Sequence, residues 1–162
     1  MNNENLVYSH TAYFNILKTR GMQGLQKNMP LWKFKLSEEE YEALKQTLRC
    51  HTSDLARYGE EAALCYAEWW RRDYRGTIPS KEDVAMGIGL HRRLGDDLYM
   101  AARKALQKHG YVFLHSLKGT EYFRTLLNQG GLPVNYIKNS GNIGNFSKFL
   151  KELVSELSSI NL

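Results

Sequence analysis

Leu55-Ala-Arg-Tyr58-Gly-Glu-Glu-Ala62-Ala-Leu-Cys-Tyr66-Ala-Glu-Trp69-Trp70-Arg-Arg72 carries the bulkiest apolar stripe in this sequence. Leu55, Tyr58, Ala62, Tyr66, Trp69 and Trp70 recur at intervals of three or four residues, the period of a single helix face. That reading predicts a long helix from about residue 54 to 74, and its aromatic weight marks it as a core element.

Upstream of this stretch, Ser37-Glu38-Glu39-Glu40 opens another helix. The Ser37 hydroxyl can accept from the third amide while Glu40 reaches back, and the acids sit at the positive end of the helix dipole. Tyr41, Leu44 and Leu48 then share a face up to about Cys50, and His51-Thr52-Ser53-Asp54 makes the turn. Leu31-Trp-Lys-Phe-Lys-Leu36 alternates, which predicts a short extended arm or edge strand after the Met29-Pro30 break. Residues 11–18 suit a short first helix with Phe14 and Leu17 inward.

Downstream, Ser80-Lys81-Glu82-Asp83 opens a short helix through about Met86, and Leu90 to His109 forms a long amphipathic one stopped by Gly110. Residues 120–128 read as a helix with Tyr122, Phe123, Leu126 and Leu127 inside, ended by Gly130-Gly131-Leu132-Pro133. After a polar loop at 138–142, Phe146, Phe149, Leu150, Leu153 and Leu157 mark a last helix. The fold class expected is therefore mainly α, a single-domain bundle of five or six helices with a short extended arm or edge strand. Residues 1–36 form an N-terminal arm with a short helix, 37–135 the helical core, and 136–162 a loop and C-terminal helix packing on the same domain. The core should include Tyr41, Leu44, Leu48, Tyr66, Trp69, Leu98, Leu106, Phe123, Leu127 and Phe149.

Composition agrees with one globular domain: 162 residues, 43% apolar and 24% charged. Apolar runs are only a few residues long and the N-terminus lacks a signal-peptide pattern, so no membrane span and a cytoplasmic location are expected. Cys50 and Cys65, fifteen apart, fit neither a zinc ligand pair nor a disulfide framework and read as reduced packing thiols. Charge is polarised along the chain: residues 1–36 carry five bases and one acid, 37–68 three bases and eight acids, 69–162 fourteen bases and eight acids. Such a field suits an acidic protein partner or nucleic acid.

Phosphate loops, dinucleotide fingerprints, HExxH and GxSxG are all missing, and His10, His51, His91, His109 and His115 hold no ligand spacing, so neither a metal site nor a cofactor is expected. Glu60, Glu61, Glu68, Asp96, His91 and His115 are the groups that a fold could gather for acid–base work, but their local spacing places the carboxylates at a solvent rim. Asp96 and Asp97 each follow an arginine by four residues, which predicts surface ion pairs with Arg92 and Arg93.

Two functional classes lead, and enzyme activity stays open behind them. One is a non-enzymatic assembly or regulatory module that engages a protein partner or the remainder of a longer chain. The alternative is nucleic-acid binding through Arg71, Arg72, Arg75, Arg92, Arg93, Arg103 and Lys104, with residues 80–109 imitating a helix-turn-helix. Gly95 stands against that motif, since a recognition helix normally buries a branched apolar residue there.

Three stretches resemble the N-terminal region of large bacterial proteins encoded in mobile and defence islands of enterobacteria and their relatives. They are Leu31-Trp-Lys-Phe-Lys-Leu-Ser-Glu-Glu-Glu-Tyr41, Tyr58-Gly-Glu-Glu-Ala-Ala-Leu-Cys-Tyr-Ala-Glu-Trp-Trp-Arg-Arg72 and Tyr122-Phe-Arg-Thr-Leu-Leu-Asn-Gln-Gly-Gly-Leu-Pro133. The resemblance spans about residues 30–135 and implies a setting: a bacterial cytoplasm, a role in phage or plasmid defence, and a chain that heads something longer. It carries no catalytic signature and assigns no role to any residue.

Overall fold

Ser37 accepts a hydrogen bond from the Glu40 amide at 3.1 Å while the Glu40 carboxylate accepts from the Ser37 amide at 2.9 Å, closing the expected capping box. It starts α2 (Glu38–Arg49), which buries Tyr41, Leu44, Thr47 and Leu48. The computed structural model describes residues 12–76, 79–113, 125–134, 148, 150–152 and 154–155. Helix α1 spans 12–19, α3 Gly59–Arg72, α4 Lys81–Ile88 and α5 Gly95–Lys108, giving a single all-α domain with no strand among the described residues.

Short 3-10 turns join these helices, and they account for most departures from the periodicity. Leu31–Phe34 is a 3-10 turn rather than an extended arm or edge strand. Its three-residue period turns Leu31 and Phe34 to the same buried side. The Arg20 guanidinium then takes the Phe34 carbonyl at 2.7 Å, an acceptor that a strand would have offered to a neighbour. The long helix expected from 54 to 74 is likewise divided, with 3-10 turn Leu55–Tyr58 leading into α3. A third turn, Arg92–Leu94, precedes α5 and is capped by His91, whose Nδ1 accepts from the Arg93 amide at 3.1 Å. In α1 the inward residues are Tyr13, Ile16 and Leu17, while Phe14, expected inside, is 58% exposed.

Helix α3 lies at the centre of the fold. It packs against α2, α4, α5, the Leu31–Phe34 turn and the 3-10 turn Asn128–Gly130. From Gly59 to Trp69 every residue except Glu60 is buried, so α3 is covered on all sides rather than along one stripe. Close approach to α5 depends on Gly59, where an added β-carbon would lie 2.6 Å from the Ala101 carbonyl oxygen. Tyr41, Leu44, Leu48, Tyr66, Trp69, Leu98, Leu106 and Leu127 are buried as expected. Phe123 and Phe149 lie outside the residues whose side chains are described. Cys65 is buried, but Cys50, expected as a packing thiol, is exposed at the end of α2. No helix among the described residues is long and apolar enough to cross a membrane.

Candidate functional site

The seven basic residues singled out in the sequence divide into two groups. At the end of α3, Arg71 Nη2 and Arg72 Nε both donate to Glu68 Oε2 at 2.6 Å. Glu68, expected at a solvent rim, is 1% exposed. A carboxylate that deep requires compensating charge, and the two guanidiniums provide it. Arg72 also donates to the Leu36 carbonyl and lies 5.7 Å over the Tyr41 ring, tying α3 to α2 and the preceding segment. Arg103 on α5 stacks 5.7 Å over Phe113 and hydrogen-bonds Tyr99. Arg72 therefore ties helices together, while Arg71 neutralises Glu68 on its own helix and Arg103 covers Phe113.

Arg75, Arg92, Arg93 and Lys104 form the second group, and all four are exposed. The expected ion pairs of Arg92 and Arg93 with Asp96 and Asp97 do not form among the described residues. Asp96 instead accepts from Lys81 Nζ at 3.1 Å. The four-residue spacing brings side chains together only when both ends lie on one α-helix, and here the arginines sit on the 3-10 turn before it. The 80–109 hairpin is real as two packed helices, but α5 turns Leu98, Tyr99, Ala102 and Leu106 into the core against α3. Gly95 has a packing reason: an added β-carbon there would come within 3.0 Å of the Lys81 carbonyl group at the start of α4.

A second polar cluster joins α1, α3 and the end of α5. His109 Nε2 lies 3.0 Å from Glu60 Oε1, both side chains being about a fifth exposed. Beside them burial, reinforced by Glu60 and Glu61, pushes the Tyr13 phenol well above its ordinary value. Glu61, another carboxylate expected at the rim, is 1% exposed. Tyr111 donates to the Met29 carbonyl at 2.6 Å, which fixes the segment after α5 onto the loop before the Leu31–Phe34 turn. Glu60 also borders a shallow cleft of about 430 Å³ between the Leu55–Tyr58 turn and α5, with Arg57, Lys104 and Lys108 along it. Of the other acid–base candidates, Asp96 and His91 are exposed and apart from this cluster, and His115 lies outside the described residues. No group of three potential metal ligands occurs among the described residues.

Two arginines that sequence reasoning missed organise the fold more than any of the seven. Arg20 holds both Glu40 oxygens, at 2.6 and 3.1 Å, together with the Phe34 and Lys35 carbonyls. Arg49 takes the Ile88 carbonyl at the end of α4 at 3.0 Å and pairs with Glu42 on α2. Their interhelical partners lie fourteen to thirty-nine residues away in the chain, so no local spacing marks them. The Glu68–Arg72 pair, in contrast, stands at the i,i+4 spacing, a local signal that the sequence reading passed over when it placed Glu68 at the rim.

Comparison with known families finds the YjiT N-terminal domain matching residues 4–132. No curated protein and no solved structure matches the chain.

Proposed function

The chain belongs to the YjiT N-terminal domain family, a domain of a larger protein, and we propose that it is a non-enzymatic assembly or regulatory module. The observation that carries this reading is the placement of its reactive groups. Arg71 and Arg72 neutralise the buried Glu68 within α3, Arg72 also ties α3 to α2 and the preceding segment, and Arg103 covers Phe113, so these groups serve the fold. A rigid all-α head suits a role in presenting its surface to the rest of the polypeptide or to a protein partner. The setting follows from the resemblance of residues 31–41, 58–72 and 122–133 to proteins of bacterial defence islands: a cytoplasmic protein acting against phage or plasmids. Pull-down of the full-length protein with its genomic neighbours, with and without residues 1–134, tests the assembly role. Deletion should abolish recovery of at least one neighbour, and equal recovery would exclude it.

A second reading, nucleic-acid binding, gains from one observation. Arg92 and Arg93 are not neutralised by Asp96 and Asp97, which leaves two adjacent guanidiniums on an exposed turn. With Arg75 and Lys104 they make the set for this mode, and Arg71, Arg72 and Arg103 leave it because the fold already uses them. Reversing Arg92 and Arg93 to Glu should weaken binding to duplex or single strands uniformly and lower the salt slope by about 1 for each phosphate no longer neutralised. An unchanged affinity removes this surface from consideration.

A further inference from the structure

We propose that the outer face of α5, with the Leu55–Tyr58 turn beside it, docks a second copy of this chain so that the two α5 helices run antiparallel. Asp97, Met100, Ala101, Lys104, Ala105 and Lys108 follow one another at steps that place them on one side of the helix. Ala101 and Ala105 are buried where α5 packs on the turn, while Asp97, Met100, Lys104 and Lys108 are exposed. Two shallow clefts of about 320 and 430 Å³ lie between this face and the segment 52–60, and both have Ala56, Ala101 and Lys104 in their walls.

Charge selects the occupant. Around the clefts Arg57 is paired with Asp54 and Glu60 lies against His109, whereas Asp97, Lys104 and Lys108 make no ion pair among the described residues. A nucleic-acid strand would bring phosphates against Asp54, Glu60 and Asp97 as well as against the lysines, a like-charge conflict. A second α5 running the opposite way resolves it. Asp97 and Lys108 are eleven residues apart, roughly 16 Å along the helix, so a two-fold axis between residues 102 and 103 sets each acid against the other copy's lysine, once at either end. The same axis sets Met100 against Ala105 and Lys104 against Ala101 of the other copy, large against small at each layer. Met100 then fills a cleft, and the Lys104 stem covers an alanine. The helix dipole alone favours an acid in the first turn and a base in the last, but it accounts neither for Met100, 39% exposed, nor for the clefts beside it.

The proposal rests on the reading of the domain as an assembly module and names the surface and the partner. Sedimentation velocity of the 162-residue chain tests it. From about 10 μM to about 1 mM the parent should approach twice the monomer mass. Asp97→Lys and Lys108→Glu each put like charges at both ends and should each weaken association by about tenfold or more. An equimolar mixture of those two variants recreates both opposite-charge pairs in the mixed dimer and should return to parent behaviour. Because unfolded chains would not be rescued, the mixture also separates a lost contact from a lost fold. A chain that is monomeric throughout, variants that associate like the parent, or a mixture that stays monomeric overturns the proposal. The pull-down of genomic neighbours is read apart from this: neighbours recovered by a monomeric chain keep the assembly role and remove this surface, while a dimer that recovers none keeps the surface and removes the wider role.

Discussion

Glu68 shows how one side chain can be functional in appearance and structural in fact. It lies on the buried helix α3, 1% exposed, with both guanidinium bonds on one oxygen. Removing one partner of a buried pair leaves the other charge uncompensated, which commonly costs about 3–5 kcal/mol. Because Arg71 and Arg72 keep about a quarter of their side chains exposed, the cost for Glu68→Ala should fall to roughly 2–3 kcal/mol. Urea unfolding of the variant measures it directly, and a loss under about 1 kcal/mol would mean that the pair is no more than a surface bridge. Glu42 and Glu40 make the stability depend on acid. Side-chain bonds from Lys45 and Arg49 hold the Glu42 carboxyl down at about 2. At Glu40 burial pushes upward, but the hydrogen bonds from Arg20 and Ser37 outweigh it and keep the group below its usual range. A carboxyl lowered in the folded state binds protons more readily when unfolded. The stability it contributes is therefore complete above its ordinary value and lost as pH falls through the folded one. For Glu42 that window runs from 4.5 down to about 2. Glu40→Gln and Glu42→Gln should each flatten the acid limb of stability against pH while leaving its slope near neutrality unchanged.

Among the elements, what was legible in the sequence is what is local. The capping box at Ser37, the helix start at Ser80, the left-handed Gly110 after α5 and the apolar face of α2 involve residues within one or two turns of each other, and each appears as expected. What was illegible depends on hydrogen-bond register or on distant partners. The periodicity of residues 55–74 does not distinguish a 3-10 turn followed by an α-helix from one continuous helix, because apolar residues three apart fit both. Burial of Glu61 and Glu68 was hidden for another reason: their residue type favours solvent, and only the packing of α2, α4 and α5 around α3 overrides it. Gly59 sets local propensity against packing in a way that can be measured. It has helical backbone angles, so propensity alone predicts that Gly59→Ala stabilises α3 by up to about 1 kcal/mol. The new β-carbon would instead meet backbone of α5 at 2.6 Å, and backbone does not yield cheaply. The expected outcome is a net loss of roughly 1–3 kcal/mol. A more stable variant would show that α3 and α5 are not in this close contact.

For the molecule as a whole, the fold alters the meaning of the charge pattern. The segment 37–68 is acidic by count, yet Glu68, Glu40, Glu42 and Glu60 have cationic or imidazole partners. Glu38 at the start of α2, 91% exposed, keeps its charge almost wholly in solvent. Much of the polarity along the sequence is thus cancelled inside the domain, and the surface field is weaker than the segment totals suggest. The apolar contacts make the fold cooperative, because they converge on α3 from α2, α4 and α5. Leu98 tests that convergence. It sits in α5 with no exposed surface, at the α3–α5 contact, and carries no polar group. Leu98→Ala should cost about 2–5 kcal/mol through lost burial and the cavity left behind. If α3 joins the helices into one unit, tryptophan fluorescence, which reports Trp69 and Trp70 on α3 together with Trp32 on the Leu31–Phe34 turn, and far-UV circular dichroism, which reports every helix, should shift to the same lower midpoint. Separate midpoints would mean that α2 or α4 unfolds on its own, and that α3 braces its neighbours without making them interdependent.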